Sequence, residues 1–503
     1  MISLANLLHN SDVVTGLDAT ASKLLVTGLQ YDHRLIEPGN VFWAFSGAVA
    51  DGRKFAKAAV ERGAIAIVSD LEPLEPIDIP WIRVSHGRNA LAMASADFYG
   101  HPDQQIAITG VTGTNGKTTI TWILDSILRF AGRITALIGT VGYQVAGEQR
   151  KAVNTTPESL DLFKILSELK TKGGTNVTME VSSHALALGR VHGVHFHTAV
   201  FTNLTRDHLD FHASMEEYFA AKSKLFEGSP APLFAVINTD DEYGKKLRTS
   251  SAGEVYSYGI RSGDLRAENI DSSFHGLQFD VLFGEQRHRV KSSLVGEINV
   301  YNLLGAIGAA RTLGIDWEVI LEGIRQTPGV PGRFERVEAG QPFLVVVDYA
   351  HTDDALRNTI RVARKLLAAG DKPGRVLTLF GCGGDRDRAK RPLMGMAAGE
   401  FSDFVVLTSD NPRSEDPLAI MNDALVGLRR FDTNHIVEPD RAKAIVKILN
   451  EAQPGDIVIL AGKGHETYQV LKDETIPFSD KEVASKALER NGYKIIKEKK
   501  GAA

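Results

Sequence analysis

The segment Gly110-Val-Thr-Gly-Thr-Asn-Gly-Lys-Thr-Thr119 places glycines before a lysine and two threonines. An apolar run precedes it and apolar residues at helical spacing follow it, so the segment is predicted to join a strand to a helix. Such glycine turns direct backbone N–H groups and a helix N-terminus at phosphate oxygens. Lys117 would reach the β- and γ-phosphates, and the Thr118 hydroxyl would help to hold Mg²⁺. We therefore predict a site for ATP or GTP made by Gly113, Thr114, Asn115, Gly116, Lys117, Thr118 and Thr119.

Two further residues of types that bind divalent cations follow predicted strands in the same region. Glu180 ends an apolar run, and His208 closes the segment Thr202-Asn-Leu-Thr-Arg-Asp-His208. Carboxylate oxygens and imidazole nitrogens both bind such cations. Because a P-loop enzyme that transfers phosphate needs metal ligands beyond the loop, we predict that Glu180 and His208 hold Mg²⁺ together with Thr118.

Four polar clusters each follow a predicted strand in the last third of the chain. They are Asp348-Tyr-Ala-His351, Gly381-Cys-Gly-Gly-Asp-Arg-Asp387, Asp410-Asn-Pro-Arg413 and Gly462-Lys-Gly-His-Glu466. Open parallel sheets bind ligands beyond the carboxyl ends of their strands, so the clusters predict a binding site. A basic group lies beside the second cluster, and Arg413 belongs to the third. Together they could clamp a carboxylate through the forked geometry of arginine. The basic group consists of Arg386, Arg388, Lys390 and Arg391.

Three α/β domains are predicted to position these residues. Residues 1–102 form the first, with strands at 41–45 and 64–68 and a helix at 53–62. Residues 103–332 form a central P-loop ATPase-type parallel-sheet domain, with strands at 175–181, 197–204 and 233–238 and a β-ribbon at 277–290. Residues 333–503 form a Rossmann-like domain, with strands at 343–348, 375–380, 404–407 and 457–460 and helices at 354–369, 392–400 and 417–428. Pro328, Pro331 and Gly332 mark the last boundary.

Composition narrows the class of protein. The 503 residues are 43% hydrophobic and 24% charged, as in ordinary globular proteins. A net charge of -5 gives no bias toward nucleic acid or membrane surfaces. Cys382 is the only cysteine, which fits a reducing compartment. We expect a cytoplasmic protein without membrane insertion, because neither a signal peptide nor an apolar run of about 20 residues is present.

The motifs together resemble the Mur ligases, ATP-dependent enzymes that add amino acids to peptidoglycan precursors. The resemblance covers essentially the whole chain, in the family's order. It rests on Gly110–Thr119, Met179-Glu-Val-Ser-Ser-His184, Thr202–His208, Gly296 with Asn299 and Asn302, and Asp348–His351. Asn154-Thr-Thr-Pro157, Gly381–Asp387, Asp410–Arg413 and Ala461–Glu466 resemble the members that add a diamino acid. Asp-Asn-Pro-Arg is the form of that motif associated with meso-diaminopimelate rather than L-lysine.

The resemblance implies an ATP-dependent amide ligase whose first domain binds uridine. It would add meso-2,6-diaminopimelate to the D-glutamyl side-chain carboxylate of UDP-N-acetylmuramoyl-L-alanyl-D-glutamate, through an acyl phosphate. A carboxylate is a poor electrophile at neutral pH, which explains the need for phosphoryl transfer. Lys117 and Mg²⁺ would neutralise charge moving between the substrates. The implied partners are these small molecules alone, and we expect a monomer.

The resemblance also implies roles for individual residues. Lys222 would carry a CO₂-derived carbamate and join Thr118, Glu180 and His208 around Mg²⁺, and Asn299 and Asp348 would contact the nucleotide. The UDP-muramoyl dipeptide would be bound by His33, Asn154, Thr155, Thr156, Ser182 and Arg190. Diaminopimelate would be bound by Arg386, Asp410, Asn411, Pro412, Arg413, Gly462 and Glu466. Lysine has no distal carboxylate and would leave Arg413 without a partner.

The chain departs from the family pattern at two positions. The uridine-binding loop usually reads Asp-Ser-Arg, but here it reads Asp32-His33-Arg34. Asp353 replaces the usual proline after Ala-His-Thr. Three alternatives remain open: the same ligase with L-lysine or another diamino acid, a related ligase of the folate or cyanophycin type, and a non-catalytic nucleotide-gated binding protein. Phosphate release with each diamino acid tests the first alternative. The first domain and the Gly-Lys-Gly-His-Glu motif argue against the second, and the presence of Lys117, Glu180, His208 and Lys222 argues against the third.

Overall fold

The N-terminal residues form a five-stranded, mostly parallel sheet. The computed structural model of the chain describes residues 1–45, 51–209, 211–273, 276–327, 329–369 and 373–494. The first elements are β1 (Ile2–Ser3), α1 (Leu4–Leu7), β2 (Val13–Thr15), β3 (Leu25–Val26), β4 (Gly28–Gln30), β5 (Asn40–Trp43), α2 (Ala56–Glu61), β6 (Ala66–Ser69), β7 (Trp81–Val84) and α3 (Gly87–Tyr99). The sheet order is β2-β7-β6-β5-β4, with only β2 antiparallel. The predicted strands are confirmed as β5 and β6, and the predicted helix is a 3-10 turn (Gly52–Phe55) that continues as α2.

The central residues form a larger parallel sheet that carries the glycine-rich loop. Its elements are β8 (Ala107–Thr112), α4 (Lys117–Phe130), β9 (Thr135–Gly139), β10 (Gly142–Val145), β11 (Glu148–Arg150), α5 (Ser159–Thr171), β12 (Asn176–Glu180), α6 (Ser183–Ala187), β13 (Thr198–Phe201), α7 (Met215–Glu227), β14 (Phe234–Asn238), α8 (Glu242–Ser250) and β15 (Glu254–Gly259). The strands lie in the order β11-β10-β9-β12-β8-β13-β14-β15. The last six strands of this order, from β9 to β15, run parallel to one another. The strand predicted at each of 175–181, 197–204 and 233–238 is confirmed.

Burial explains why β8 and α4 form where they do. Residues of α4 spaced three and four apart are fully buried: Ile120, Ile123, Leu124, Ile127 and Leu128. On β8, Ile108 and Val111 are likewise buried on opposite faces, as expected for a parallel sheet covered on both sides. Glu180 is level with Val111 in the register, and Phe201 is level with Thr112. The ends of β12, β8 and β13 therefore lie side by side at the edge where the loop begins.

An antiparallel meander and two helices follow. They are β16 (Leu265–Ser273), β17 (Gly276–Phe283), β18 (Gln286–Ser292), α9 (Ile298–Thr312) and α10 (Trp317–Gln326). The predicted ribbon at 277–290 is confirmed, since β17 pairs antiparallel with both β16 and β18. Leu277, Phe279 and Val281 alternate on its buried face.

The C-terminal residues form a six-stranded sheet. Its elements are β19 (Glu335–Arg336), β20 (Leu344–Asp348), α11 (Asp353–Ala368), β21 (Val376–Cys382), α12 (Lys390–Phe401), β22 (Phe404–Ser409), α13 (Pro417–Leu428), β23 (Asn434–Glu438), α14 (Arg441–Glu451), β24 (Ile457–Ala461), β25 (Tyr468–Val470), β26 (Thr475–Pro477) and α15 (Asp480–Arg490). The order β19-β20-β24-β21-β22-β23, parallel except for β19, confirms the Rossmann-like pattern. Sequence reasoning missed β23, whose half-exposed residues give little apolar signal, and α14 and α15.

Packing divides the chain into two compact units. The first comprises Met1–Asp264 with Gly305–Ile320, and the second comprises Leu265–Leu304 with Leu321–Ala503. Within the first unit, α3 packs on α5, and Tyr31 donates to Asp161 at 2.5 Å. The predicted boundaries at 102 and 332 stay predictions, and Pro328 lies outside the described residues. Every described helix is too short or too polar to span a bilayer.

Candidate active site

The glycine-rich loop lies between β8 and α4, as predicted. Gly113 has φ +144° and Gly116 has φ +92°, in the region that favours glycine. A Cβ atom on Gly113 would lie 1.8 Å from Thr202 Oγ1, so no other residue fits there. Gly116 begins α4, so Lys117, Thr118 and Thr119 form the first turn of that helix. Their backbone N–H groups are the ones that a helix N-terminus offers to phosphate.

The segment after β13 holds the loop in place. Thr114 donates its N–H to Asn203 O at 2.8 Å, and Asn115 donates its N–H to Asn203 Oδ1 at 3.0 Å. Thr202 Oγ1 in turn donates to Asn115 O at 2.6 Å. The first part of the Thr202–His208 motif therefore positions the glycine-rich loop, a role that the sequence pattern did not indicate.

Two lysine side chains meet at one carbonyl of the loop. Lys117 Nζ donates to Gly113 O at 3.0 Å and to Thr114 O at 2.8 Å. Lys222 Nζ, on α7, donates to the same Gly113 oxygen at 2.8 Å, and the Lys222 residue is only 1% exposed. Burial lowers the pKa of Lys222 well below its usual value, and the charge of Lys117 lowers it further. The low pKa favours a neutral amine, which is the form that can react with CO₂.

His208 lies near these lysines in a segment with strained backbone. Its φ is +53°, unusual for a residue other than glycine. Burial lowers its pKa to about 4; Asp207 opposes the shift, while His184 and the charges of Lys117 and Lys222 support it. The ring is therefore neutral at pH 7, which is the form that binds a metal ion.

Glu180 is buried at the end of β12. Its Oε1 accepts from Thr140 N at 2.8 Å and its Oε2 accepts from Thr140 Oγ1 at 3.1 Å. A Cβ atom on Gly139 would lie 2.4 Å from Glu180 Oε1, so this glycine leaves room for the carboxylate. Sequence reasoning missed Thr140, although it follows β9 at the same sheet edge as the predicted residues.

The chemistry of these residues fits Mg²⁺. Among the described residues, three or more His, Cys, Asp or Glu side chains are nowhere grouped as a metal site, so Glu180 and His208 need further ligands. Thr118 and a carbamate on Lys222 are oxygen donors, which Mg²⁺ prefers. A carbamate would also replace the neutral Lys222 amine by an anion, which the charge of the nearby Lys117 would stabilise.

Five of the six residues predicted to bind the UDP-muramoyl dipeptide cluster beside Glu180. Thr156 Oγ1 donates to Glu180 O at 2.8 Å and accepts from Ser182 N at 3.1 Å. Thr155 Oγ1 lies 3.2 Å from Thr140 Oγ1. Arg190 donates to Thr156 O at 3.1 Å. The structure thus brings Thr155, Thr156, Ser182 and Arg190 together, and Asn154 O adjoins them by accepting from Tyr143 Oη at 2.5 Å.

A buried carboxylate that was not predicted fixes Arg190. Glu158 Oε1 lies 2.9 Å from Arg190 Nε and accepts from Arg88 NH1 at 2.7 Å. Arg88 belongs to α3 and stacks over the Phe45 ring at 4.5 Å. Glu158 therefore ties the N-terminal sheet to the segment that carries Arg190.

His33 replaces a small hydroxyl residue with an aromatic ring. It stacks on Phe55 with ring centroids 4.4 Å apart and planes 1° from parallel. Asp32 caps the short helix that contains His33 by accepting from Arg34 N at 3.0 Å. The imidazole is thus held by stacking rather than left free in the loop.

In the second unit, Asn411 is the centre of a hydrogen-bonded cluster. Its Nδ2 donates to Glu466 Oε2 at 2.9 Å, and its Oδ1 accepts from Val470 N at 3.0 Å. Arg413 NH1 donates to Gly384 O at 2.7 Å, and its φ of +51° turns the side chain toward the Gly381–Asp387 loop. The structure therefore brings Asn411, Arg413 and Glu466 together.

The basic residues predicted to form a clamp separate into two groups. Arg391 is buried and pairs with Glu415 at 2.7 Å and Asp423 at 3.0 Å, so its role is structural. Arg386 is exposed on the glycine turn, where its side chain and that of Arg413 both lie near Gly383. Only this second group stays in the predicted amino-acid site.

Asp348 and Asn299 are both engaged in local hydrogen bonds. Asp348 accepts from Phe334 N at 2.7 Å and from Ala350 N at 2.9 Å, and burial raises its pKa. Asn299 Nδ2 donates to Val295 O at 2.8 Å, while its Oδ1 accepts from Asn302 Nδ2 at 2.8 Å. Asn302 thus orients the Asn299 side chain.

Comparison with known proteins defines the class. The sequence matches the Mur ligase family catalytic domain over residues 25–99, the Mur ligase middle domain over 111–310, and the Mur ligase glutamate ligase domain over 332–464. The chain therefore belongs to the Mur ligase family. The three-domain α/β fold and the assignment as a ligase are confirmed.

Two similar proteins and one solved structure carry the same name. The chain is 60% identical to the UDP-N-acetylmuramoyl-L-alanyl-D-glutamate–2,6-diaminopimelate ligase of Solibacter usitatus, with 98% of this chain and 99% of that protein covered. It is 44% identical to the protein of that name from Geobacillus thermodenitrificans, with 92% and 95% covered. A solved structure of that name is 31% identical, with a TM-score of 0.71 and 98% and 99% covered. The MurF ligase from Thermotoga maritima in complex with ADP shares the fold, at 19% identity and a TM-score of 0.62 over 93% and 99% of the chains.

Proposed function

We propose that this chain is an ATP-dependent ligase that joins meso-2,6-diaminopimelate to the D-glutamyl side-chain carboxylate of UDP-N-acetylmuramoyl-L-alanyl-D-glutamate. The observation that carries the choice of amino acid is the cluster around Asn411. Its side chain bonds Glu466, and Arg413 of the same motif reaches the adjoining glycine turn. A carboxylate bonded to Asn411 and a guanidinium from the same Asp410–Arg413 motif suit a ligand end that carries both an ammonium and a carboxylate.

The reaction follows from the groups in the first unit. A carboxylate oxygen of the D-glutamyl residue attacks the γ-phosphorus of ATP, ADP leaves, and an acyl phosphate forms. The amine of diaminopimelate then attacks the acyl carbon, and the intermediate expels phosphate to leave an amide. Lys117 and the first turn of α4 stabilise the charge on the transferred phosphoryl group.

Thr118, Glu180, His208 and a carbamate on Lys222 would hold Mg²⁺. When bound, this ion supplies positive charge that screens the phosphate oxygens from the attacking carboxylate. Lys222 is neutral enough to accept CO₂ because it is buried, and partial burial keeps the half-exposed His208 ring neutral at pH 7. Thr140 keeps the Glu180 carboxylate in one orientation.

The remaining assignments extend the same proposal. Thr155, Thr156, Ser182 and Arg190, with Asn154 and His33, bind the UDP-muramoyl dipeptide. Asn299 and Asp348 contact the nucleotide. We place the enzyme in the cytoplasm, where the net charge of -5 gives it no bias toward a membrane surface, and we expect a monomer.

The purified protein tests this proposal directly. With ATP, Mg²⁺ and the UDP-muramoyl dipeptide, we expect phosphate release with meso-diaminopimelate and far less with L-lysine. Lysine offers no carboxylate to Arg413, and an unpaired group of this kind costs about 10⁴-fold in discrimination where the site is buried. Equal rates would favour the ligase that accepts several diamino acids. Phosphate release with none of them would contradict the proposed ligase activity.

The Arg413→Ala variant tests the amino-acid site itself. The KM for diaminopimelate should rise by about a hundredfold, because one charged hydrogen-bond partner is lost, while the KM for ATP stays within about twofold. Arg429→Ala, an exposed arginine that follows the end of α13, is the matched control. An equal rise in both KM values would show that Arg413 does not bind the substrate carboxylate.

A further inference from the structure

Lys463 is a buried cation inside the predicted amino-acid site. Its side chain is 0% exposed, and its Nζ donates to Glu466 Oε2 at 2.9 Å and to Asn411 Oδ1 at 3.1 Å. Asp410 Oδ1 lies 3.6 Å from the same nitrogen. A buried ammonium is costly unless it is paired, so these three partners explain why it is tolerated.

The backbone on both sides of Lys463 directs it inward. Gly462 has φ +111° and Gly464 has φ +52°, and a Cβ atom on Gly464 would lie 2.7 Å from Tyr349 Cβ. The sheet order places β21 between β24, which precedes Lys463, and β22, which precedes Asp410. A Cβ atom on Gly381 of β21 would lie 2.9 Å from Asp410 N, so this glycine lets the Asp410 motif approach β21 closely. The lysine therefore reaches past one strand to join two motifs.

This contact decides which atoms of the site face a ligand. Among the described residues, Glu466 makes its side-chain hydrogen bonds only through Oε2, which accepts from Lys463 Nζ and Asn411 Nδ2. Its Oε1 is left for the ligand. The Asn411 amide is also fixed, because Oδ1 accepts from Lys463 Nζ and from Val470 N.

Lys463 also sets the charge of the site. Asp410 and Glu466 both contribute carboxylates within 4 Å of its nitrogen. Within the described part of the chain, Asp410 Oδ1 accepts no hydrogen bond, and Lys463 is its ion-pair partner; the buried Arg441 also interacts electrostatically with Asp410 and Glu466. Without this cation the two carboxylates would repel each other and would attract any ligand with a surplus of positive charge.

We propose that Lys463 is a positioning residue that orients Glu466 and Asn411 and makes the site prefer an amino acid whose distal end carries both an ammonium and a carboxylate. This inference rests on the proposed function. The distal end of diaminopimelate is neutral overall, whereas the side chain of lysine is a cation. Removal of the buried positive charge should therefore lower the activity with diaminopimelate more than the activity with lysine.

The Lys463→Met variant tests the inference, because methionine is similar in length and has no charge. Phosphate release is measured with diaminopimelate and with L-lysine at saturating ATP and UDP-muramoyl dipeptide. We expect the KM for diaminopimelate to rise by about a hundredfold, as for the loss of one partner of a buried charge pair. The ratio of kcat/KM for diaminopimelate over lysine should fall at least about tenfold, and the KM for ATP should stay within about twofold.

Two further variants separate positioning from a purely structural role. Lys463→Arg keeps the charge and should restore most of the preference for diaminopimelate. If Lys463 acts through Glu466, the Glu466→Gln/Lys463→Met double variant should have nearly the same kcat/KM for diaminopimelate as Glu466→Gln alone. Lys443→Met, whose side chain is 72% exposed, should match the wild type. The inference would be overturned if kcat/KM fell equally for diaminopimelate and lysine in Lys463→Met. It would also be overturned if the effects of the two substitutions on kcat/KM were fully additive in the double variant. Loss of folding in both Lys463 variants, judged by circular dichroism, would overturn it as well.

The wild-type protein distinguishes the failure of this inference from the failure of the proposed function. If the wild type releases phosphate with diaminopimelate but Lys463→Met leaves the substrate ratio unchanged, only the role of Lys463 is wrong. If the wild type uses neither amino acid, the proposed function itself fails and Lys463 has no substrate to select.

Discussion

Lys222 Nζ donates to Gly113 O at 2.8 Å, and Lys117 Nζ donates to that same oxygen at 3.0 Å. Two amines that share one acceptor cannot titrate independently, and the charge of Lys117 indeed lowers the pKa of Lys222. Conversion of Lys222 to a carbamate would replace this repulsion by attraction. The phosphate-binding lysine and the lysine proposed to hold Mg²⁺ are therefore coupled through the loop itself.

Replacing Lys222 with methionine should abolish most of the activity. Methionine fills the buried space but cannot carry a carbamate, so we expect phosphate release to fall by about 10²- to 10³-fold, the range typical of removing one electrostatic contact to the transition state. Lys224→Met, an exposed lysine on the same helix, should retain wild-type activity. Activity in Lys222→Met near that of Lys224→Met would contradict a carbamate role.

The low pKa of His208 predicts how stability depends on pH. Its pKa is about 4 in the folded chain against 6.5 as its ordinary value, so the unfolded chain binds more protons between these limits. The contribution of His208 is fully present above pH 6.5 and decreases as the pH falls toward 4. The urea midpoint of the wild type should therefore drop more than that of His208→Asn between pH 7 and 4.5. Parallel curves would show that His208 is not buried in its neutral form.

Replacing Gly113 with alanine should weaken nucleotide binding by the glycine-rich loop. A methyl group there would collide with Thr202 Oγ1, and the φ of +144° is strained for alanine. We expect ATP affinity, measured by calorimetry, to fall by more than about tenfold, because the Thr202 and Asn203 contacts must shift. Gly132→Ala also has positive φ but meets no atom within 4 Å, so it should bind ATP normally. Equal effects would point to backbone strain rather than to the collision.

The second unit contains a fully buried ion pair, and its removal should change the free energy of unfolding. Arg441 NH2 lies 2.6 Å from Asp480 Oδ2, and both side chains are 0% exposed. Arg441→Ala leaves the carboxylate unpaired and should lower the free energy of unfolding by about 3–5 kcal/mol. The Arg441→Met/Asp480→Leu double variant should lose less, since neither charge remains. Urea denaturation followed by circular dichroism compares them, and a larger loss in the double variant would contradict this account.

The regular elements were predictable because their burial follows simple periods. The helix after Lys117 buries residues three and four apart, and the parallel strands are apolar on both faces, so sequence alone located them. The strands' polar ends were also predictable, since parallel strands place them at one sheet edge. By contrast, β23 has a half-exposed pattern, and its strand nature depends on pairing with β22.

Side-chain roles at the site were only partly predictable. Lys222 reads as a surface helix lysine in sequence and was assigned through family resemblance, yet it is buried against Gly113. Thr140 and Lys463 were overlooked because one polar residue in a turn, or one lysine between glycines, carries no periodic signal. Their partners, Glu180 and Asn411, lie 40 and 52 residues away in the chain.

The sequence by itself determined the glycine-rich loop, the family and the alternating α/β pattern, because these depend on local spacing and backbone freedom. Only the tertiary structure decided which groups share an environment: Lys222 with Lys117, Thr140 with Glu180, and Lys463 with Asn411 and Glu466. The physical reason is that burial and neighbouring charge determine pKa values and orientation. Both arise from contacts between segments that are distant along the chain.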